Sequence, residues 1–245
     1  SNPLTFNNTG RVDVQSGVLN VDASLTQSGT INVGNAATFR RTGGFTNDLT
    51  GIVQGSGTID VGLGNALVNN GAIRPGGANT VGTLSITGNL INGATGLIDI
   101  DIQGIGAGQN DVLAISGTGT MGGALRLNEI NGWATRVGDN YTVLTCGISC
   151  TGTFATVVPT FGDTGTTSVN ANNVPYNVTG ASIGKFWDGG AGDNLWQSAA
   201  NWSGDTLPTS ADDVLIDTGV AGGPPAITVT LSSGNHAVRR LLSEE

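Results

Sequence analysis

Residues 55–77 read GSGTIDVGLGNALVNNGAIRPGG. Glycine returns every few positions, and Ile59, Val61, Leu67, Val68 and Ile73 stand between the glycines. In "GTIDV" the apolar side chains are two residues apart, so an extended backbone turns both to one face. The glycine ahead of them supplies a turn, or a corner at which two backbones pass closely. No helical period fits, because glycine interrupts every window long enough to carry one.

The same unit recurs along the chain. It is "GRVDV" at Gly10, "GVLNV" at Gly17, "GTINV" at Gly29, "GTLSI" at Gly82, "GLIDI" at Gly96 and "GALRL" at Gly123. Asn and Thr fill the gaps, as turn residues do. Strands this short do not make a domain singly, but stacked as rungs they bury a continuous apolar stripe. The irregular spacing between units suits a parallel β-helix, whose turns differ in length while its strands stay in register. A β-sandwich is the competing arrangement, since it too has short strands and frequent turns.

Composition agrees with a folded, loop-rich, all-β chain. Glycine makes up 41 of 245 residues without a three-residue period, which excludes collagen. Hydrophobic residues reach 38%, more than a disordered chain carries. Nine Lys and Arg stand against eighteen Asp and Glu, a net charge of −9 that repels phosphate backbones and argues against nucleic acid. No run approaches the roughly 18 apolar residues of a membrane-spanning helix.

Cys146 and Cys150 lie together in "TCGISC". A zinc site needs further ligands, and His236 is the single histidine. A local disulfide or a pair of free thiols at a turn remain, and the disulfide would place the protein outside the cytoplasm.

Residues 69–146 carry a more specific series. It comprises Pro75-Gly76, then Gly82 to Asn89, Gly96 to Gly104, Asp111 to Gly117, Gly122 to Leu127 and Gly138 to Leu144. In order, these elements resemble the passenger regions of bacterial autotransporters and related giant surface proteins, with Met121 where leucine is usual. The resemblance implies a right-handed parallel β-helix on a secreted or surface-displayed protein.

The domain expectation follows. Residues 1–165 form the β-helix, 166–185 a linker or last strand, and 186–245 a smaller Trp-rich β module. Trp187, Trp196 and Trp202 crowd into that module, which resembles an element opening new solenoid units in large bacterial repeat proteins. Two roles stay open for the tryptophans: a cap over the end of the β-stack, or a platform on which a surface glycan stacks. The alternation in "AITVTLSSGNHAVRRLLSEE" reads as the start of another unit, so the chain is expected to be one unit of an array or a subunit meeting its own copies.

For catalysis, the candidates are Asp99 with Asp101 on one strand face, and Asp212 with Asp213 at a turn. Asp99 and Asp101 could share a cation, Asp212 and Asp213 either hold one too or cap their turn, and Ca²⁺ is the cation that surface carboxylates prefer. No nucleophile motif accompanies them, and the chain is read as no enzyme and as needing no cofactor other than structural calcium. The functional expectation is an extracellular stalk, surface fibre or adhesin scaffold, stacking head to tail through Leu4, Phe6, Leu241 and Leu242. The alternatives are a glycan-binding adhesive module and a polysaccharide-active β-helix.

Overall fold

A backbone that turns a corner every few residues must find partners for its amides in the turn above and the turn below. The computed structural model describes residues 4–131, 133, 135–159, 163–180, 183–210, 212–216, 228–238 and 240–243. It shows a three-sided parallel β-helix followed by a small β module. The first coil is β1 (Thr5–Asn8), β2 (Arg11–Val14) and β3 (Val18–Asn20). The second is β4 (Ser24–Gln27), β5 (Thr30–Val33) and β6 (Thr38–Arg40), and the third β7 (Phe45–Asn47), β8 (Ile52–Gly55) and β9 (Thr58–Asp60). The fourth is β10 (Ala66–Asn69), β11 (Ala72–Pro75) and β12 (Thr83–Thr87). The fifth is β13 (Asn89–Asn92), β14 (Leu97–Ile102) and β15 (Val112–Ile115). The sixth is β16 (Thr118–Met121), β17 (Ala124–Glu129) and β18 (Asn140–Cys146), and a seventh opens with β19 (Ser149–Gly152) and β20 (Thr156–Val158).

Every strand pairs with its equivalent one coil on. The result is a first sheet from β1 to β19, a second from β2 to β20 and a third from β3 to β18. Apolar side chains stack in columns through the interior. One runs Ile31, Val53, Ile73, Ile98 and Leu125 on the second sheet. Another runs Phe39, Ile59, Ile86 and Ile115 on the third. Nearly all of these side chains are fully buried, and each contributes about 1.5–3 kcal/mol.

A column of amides accompanies them where the first sheet turns into the second. Asn8 Nδ2 donates to Gln27 Oε1 at 2.6 Å, and Gln27 Nε2 to Asn47 Oδ1 at 3.3 Å. Asn47 Nδ2 donates to Asn69 Oδ1 at 2.8 Å, and Asn69 Nδ2 to Asn92 Oδ1 at 2.7 Å. All five residues are buried, and their second donors go to corner carbonyls such as Thr30 O, Ile52 O, Ala72 O and Leu97 O. The step between ladder partners grows from 19 to 20, 22 and 23 residues, so unequal coils keep one register.

Beside this ladder runs a glycine column. A Cβ on Gly29 would lie 2.2 Å from Gly10 O, one on Gly71 2.2 Å from Gly51 O, and one on Gly123 2.1 Å from Gly96 O. Those same carbonyls accept the amides of Thr30, Ala72 and Ala124, so they cannot move aside.

The helix ends by changing direction. After β20 the chain forms β21 (Thr164–Thr167) and β22 (Asn173–Gly180), which pair antiparallel, and β22 also pairs antiparallel with β18. Val174, Tyr176 and Val178 close the apolar core there. The expected linker or last strand is thus an antiparallel pair that halts parallel growth. Beyond it, β23 (Ile183–Phe186), β24 (Asp213–Ile216) and β25 (Arg240–Ser243) form a separate parallel sheet.

Gly71→Ala is expected to cost about 1–3 kcal/mol or more in urea unfolding, through overpacking against backbone. Gly10→Ala, with nothing within 4 Å of its Cβ, should stay within about 0.5 kcal/mol of the parent.

Candidate functional site

On the outer face of the second sheet, register alone brings charged residues together. Alternation turns Arg74 on β11, Asp99 on β14 and Arg126 on β17 outward, and adjacent strands align Asp99 with Arg126. Arg74 Nε donates to Asp99 Oδ2 at 3.0 Å, and Arg126 Nε to Asp99 Oδ1 at 2.8 Å. Arg126 Nη2 also reaches Asp99 Oδ2, completing a forked pair. Asn128 Nδ2 bridges the two acids, 2.7 Å from Asp99 Oδ1 and 3.0 Å from Asp101 Oδ1. A cleft of about 310 Å³ lies over this group, lined also by Gly77, Ala78, Asn79 and Glu129.

Behind it sits Asp111, fully buried. Its Oδ1 accepts Gly82 N at 2.7 Å and its Oδ2 accepts Asp101 N at 2.9 Å. Asp101 Oδ2 in turn accepts Thr80 N at 3.1 Å. These carboxylates hold the corner between the second and third sheets, much as the amide ladder holds the preceding corner. Burial pushes Asp111 up to about 8 despite its two amide donors. Burial also raises Asp101 and Glu129. At Asp99 burial acts in the same direction, but the Arg126 and Asn128 hydrogen bonds and both guanidinium charges hold it below the usual carboxylate range.

At Asp99 and Asp101, where calcium was expected, the structure places other partners. The two carboxylates do share a face and a partner, but the partner is Asn128, and both acids are buried rather than solvated. The donors around Asp99 are cationic, which opposes a further cation. Among the described residues, no three His, Cys, Asp or Glu side chains converge as a metal site. Asp212 caps its turn by accepting Thr209 N and Thr209 Oγ1, each at 2.8 Å, and Asp213 is buried on β24.

Cys146 on β18 and Cys150 on β19 form a disulfide across the corner where the sixth coil passes into the seventh, both buried. Gly119 stands one coil below Cys150, and a Cβ there would lie 2.8 Å from Cys146 Sγ. The missing side chain at Gly119 therefore makes room for the bond.

The tryptophans serve as a core. Trp187 and Trp196 each pack edge-on against the fully buried Trp202, with ring centres 5.0 and 4.6 Å away, and Trp202 Nε1 donates to Trp196 O. Their neighbours are Val214, Ile216, Val229 and Val238. The glycan platform is set aside, because all three indoles are buried and present no face for a sugar ring. Among the described residues the three indoles form a cluster of their own, separate from the helix core.

Leu4, Phe6 and Leu241 are exposed at their strand edges, while the Leu242 side chain lies outside the described residues. Arg74, Asp111, Arg126, Asn128 and the five-amide ladder are the residues that sequence reasoning missed. The one signal for the ladder was Asn or Gln followed by glycine two or four residues on. No protein-family model matches this chain, and no curated protein is significantly similar to it.

Asp101, Asp111 and Glu129 bind protons more tightly folded than unfolded. Stability is therefore expected to fall as pH rises from about 4 towards the value of about 8 at Asp111, and to level off above it. Asp99 has the opposite sign, and its contribution is lost below about pH 4. Melting temperatures measured across this range should decline with pH, and Asp111→Asn should flatten the slope. A slope indifferent to that change would show Asp111 ionised throughout.

Proposed function

We propose that this chain is a structural β-solenoid segment of an extracellular or bacterial cell-surface protein. It would serve as a stalk, fibre or adhesin scaffold of the kind that autotransporter passengers resemble. The observation that carries this reading is the Cys146–Cys150 disulfide, buried at the corner between the sixth and seventh coils with Gly119 cleared beneath it. A buried bond accommodated by its neighbours suits a chain that folds in an oxidising compartment.

The distribution of polar groups supports a scaffold role. The interior amides hydrogen-bond from coil to coil, and the cleft carboxylates are held by arginine, asparagine and backbone amides. These groups fix strands and corners, which is the work of a rigid rod. The exposed edges at Leu4 and Phe6 and at Leu241 suit end-to-end stacking on further β-units, either copies or successive units of a longer chain.

Protein exported to an oxidising compartment should be lighter by about two hydrogens than the same chain after reduction. It should also resist proteolysis longer than reduced protein or Cys150→Ala. Equal resistance with both thiols free would overturn the reading.

A further inference from the structure

We propose that the first coil is a docking end for one more parallel β-coil, recognised by a side-chain carboxamide at that coil's corner. The inference builds on the scaffold reading but rests on separate features. Among the described residues, strands β1, β2 and β3 are the outermost strands at one end of their sheets, each with one unpaired edge. Their inward apolar side chains lack cover. Phe6 and Leu19, which register aligns with Leu25 and Phe39, are each 37% exposed, whereas Phe39 one coil on is fully buried.

The amide ladder states what the missing cover must offer. Asn8, Gln27, Asn47 and Asn69 each donate towards the following coil twice: once to the next side-chain oxygen and once to the carbonyl of the first residue in the second-sheet strand. Asn8 is buried, its Nδ2 is committed to Gln27 and Thr30, and among the described residues no donor reaches its Oδ1. By register Arg11 is the equivalent of Thr30. An incoming coil thus meets two acceptors, Asn8 Oδ1 and Arg11 O. A primary amide has two N–H groups for them, whereas a hydroxyl has one and a carboxylate none.

Gly10 gives an independent sign. Gly29, Gly71 and Gly123 must be glycine because a carbonyl of the preceding coil lies 2.1–2.2 Å from any Cβ. Gly10 occupies the same column, yet a Cβ there would meet nothing within 4 Å. The glycine is required only when another coil stands beneath it.

The test supplies that coil. A copy of residues 24–43, fused directly before Thr5 in place of residues 1–4, sets its glutamine in ladder register with Asn8. Amide hydrogens of β1 to β3 should then exchange at least about tenfold more slowly than in the unfused chain. Asparagine in place of the grafted glutamine should keep this protection, and methionine or glutamate should lose it. Gly10→Ala, neutral in the unfused chain, should also lose it. Equal protection by the methionine graft, undiminished protection with Gly10→Ala, or no protection by the glutamine graft would each overturn the proposal. The same would follow if unfused chains protected these strands merely by self-association at high concentration. None of these outcomes bears on the disulfide and export reading, which is judged by mass and proteolysis.

Discussion

The structure depends on how closely successive coils approach at their corners. Parallel strands stack about 4.8 Å apart, so the backbone of one coil rests directly on carbonyls of the coil before it. Two devices make this approach tolerable. Glycine removes the Cβ that would strike Gly10 O, Gly51 O or Gly96 O. The amide ladder from Asn8 to Asn92 supplies donors to buried corner carbonyls that would otherwise be short of them. Apolar columns add stabilisation in turn, and their alignment requires that the corners stack.

Charge is managed by position. Where the first sheet turns into the second, the buried polarity comes from amides. Outside, Asp13, Asn32 and Gln54 form one hydrogen-bonded run up the second sheet, and Arg74, Asp99 and Arg126 form another. A chain carrying net −9 thus places two guanidinium groups on a single buried carboxylate. Pairs of this type contribute little when exposed. Here Asp99 is buried and receives four hydrogen bonds, so removing one partner would leave an uncompensated charge.

Much of the fold was legible because alternation and glycine corners are local. The units at Gly10, Gly29, Gly96 and Gly123 became second-sheet strands, and those at Gly17, Gly57 and Gly82 third-sheet strands. The first-sheet strands from Thr5–Asn8 to Asn89–Asn92 escaped, because each pairs one apolar residue with an inward amide and so breaks the pattern. The site was harder. That Asp99 and Asp101 share a face follows from alternation, but their neighbours Arg126 and Asn128 are 27 residues on. Only the coil length, which sequence spacing left irregular, brings them together. The Trp cluster showed itself by density, yet no local rule distinguishes an end cap from a module core.

The ladder keeps register while the coils lengthen from 19 to 23 residues per step, and later coils absorb the loop 103–110 outside the stack. Extra residues therefore leave through the corners and never shift the interior columns. In evolutionary terms this separates counting from decoration. Added or lost residues at the rim would alter the surface while leaving the rod underneath in register.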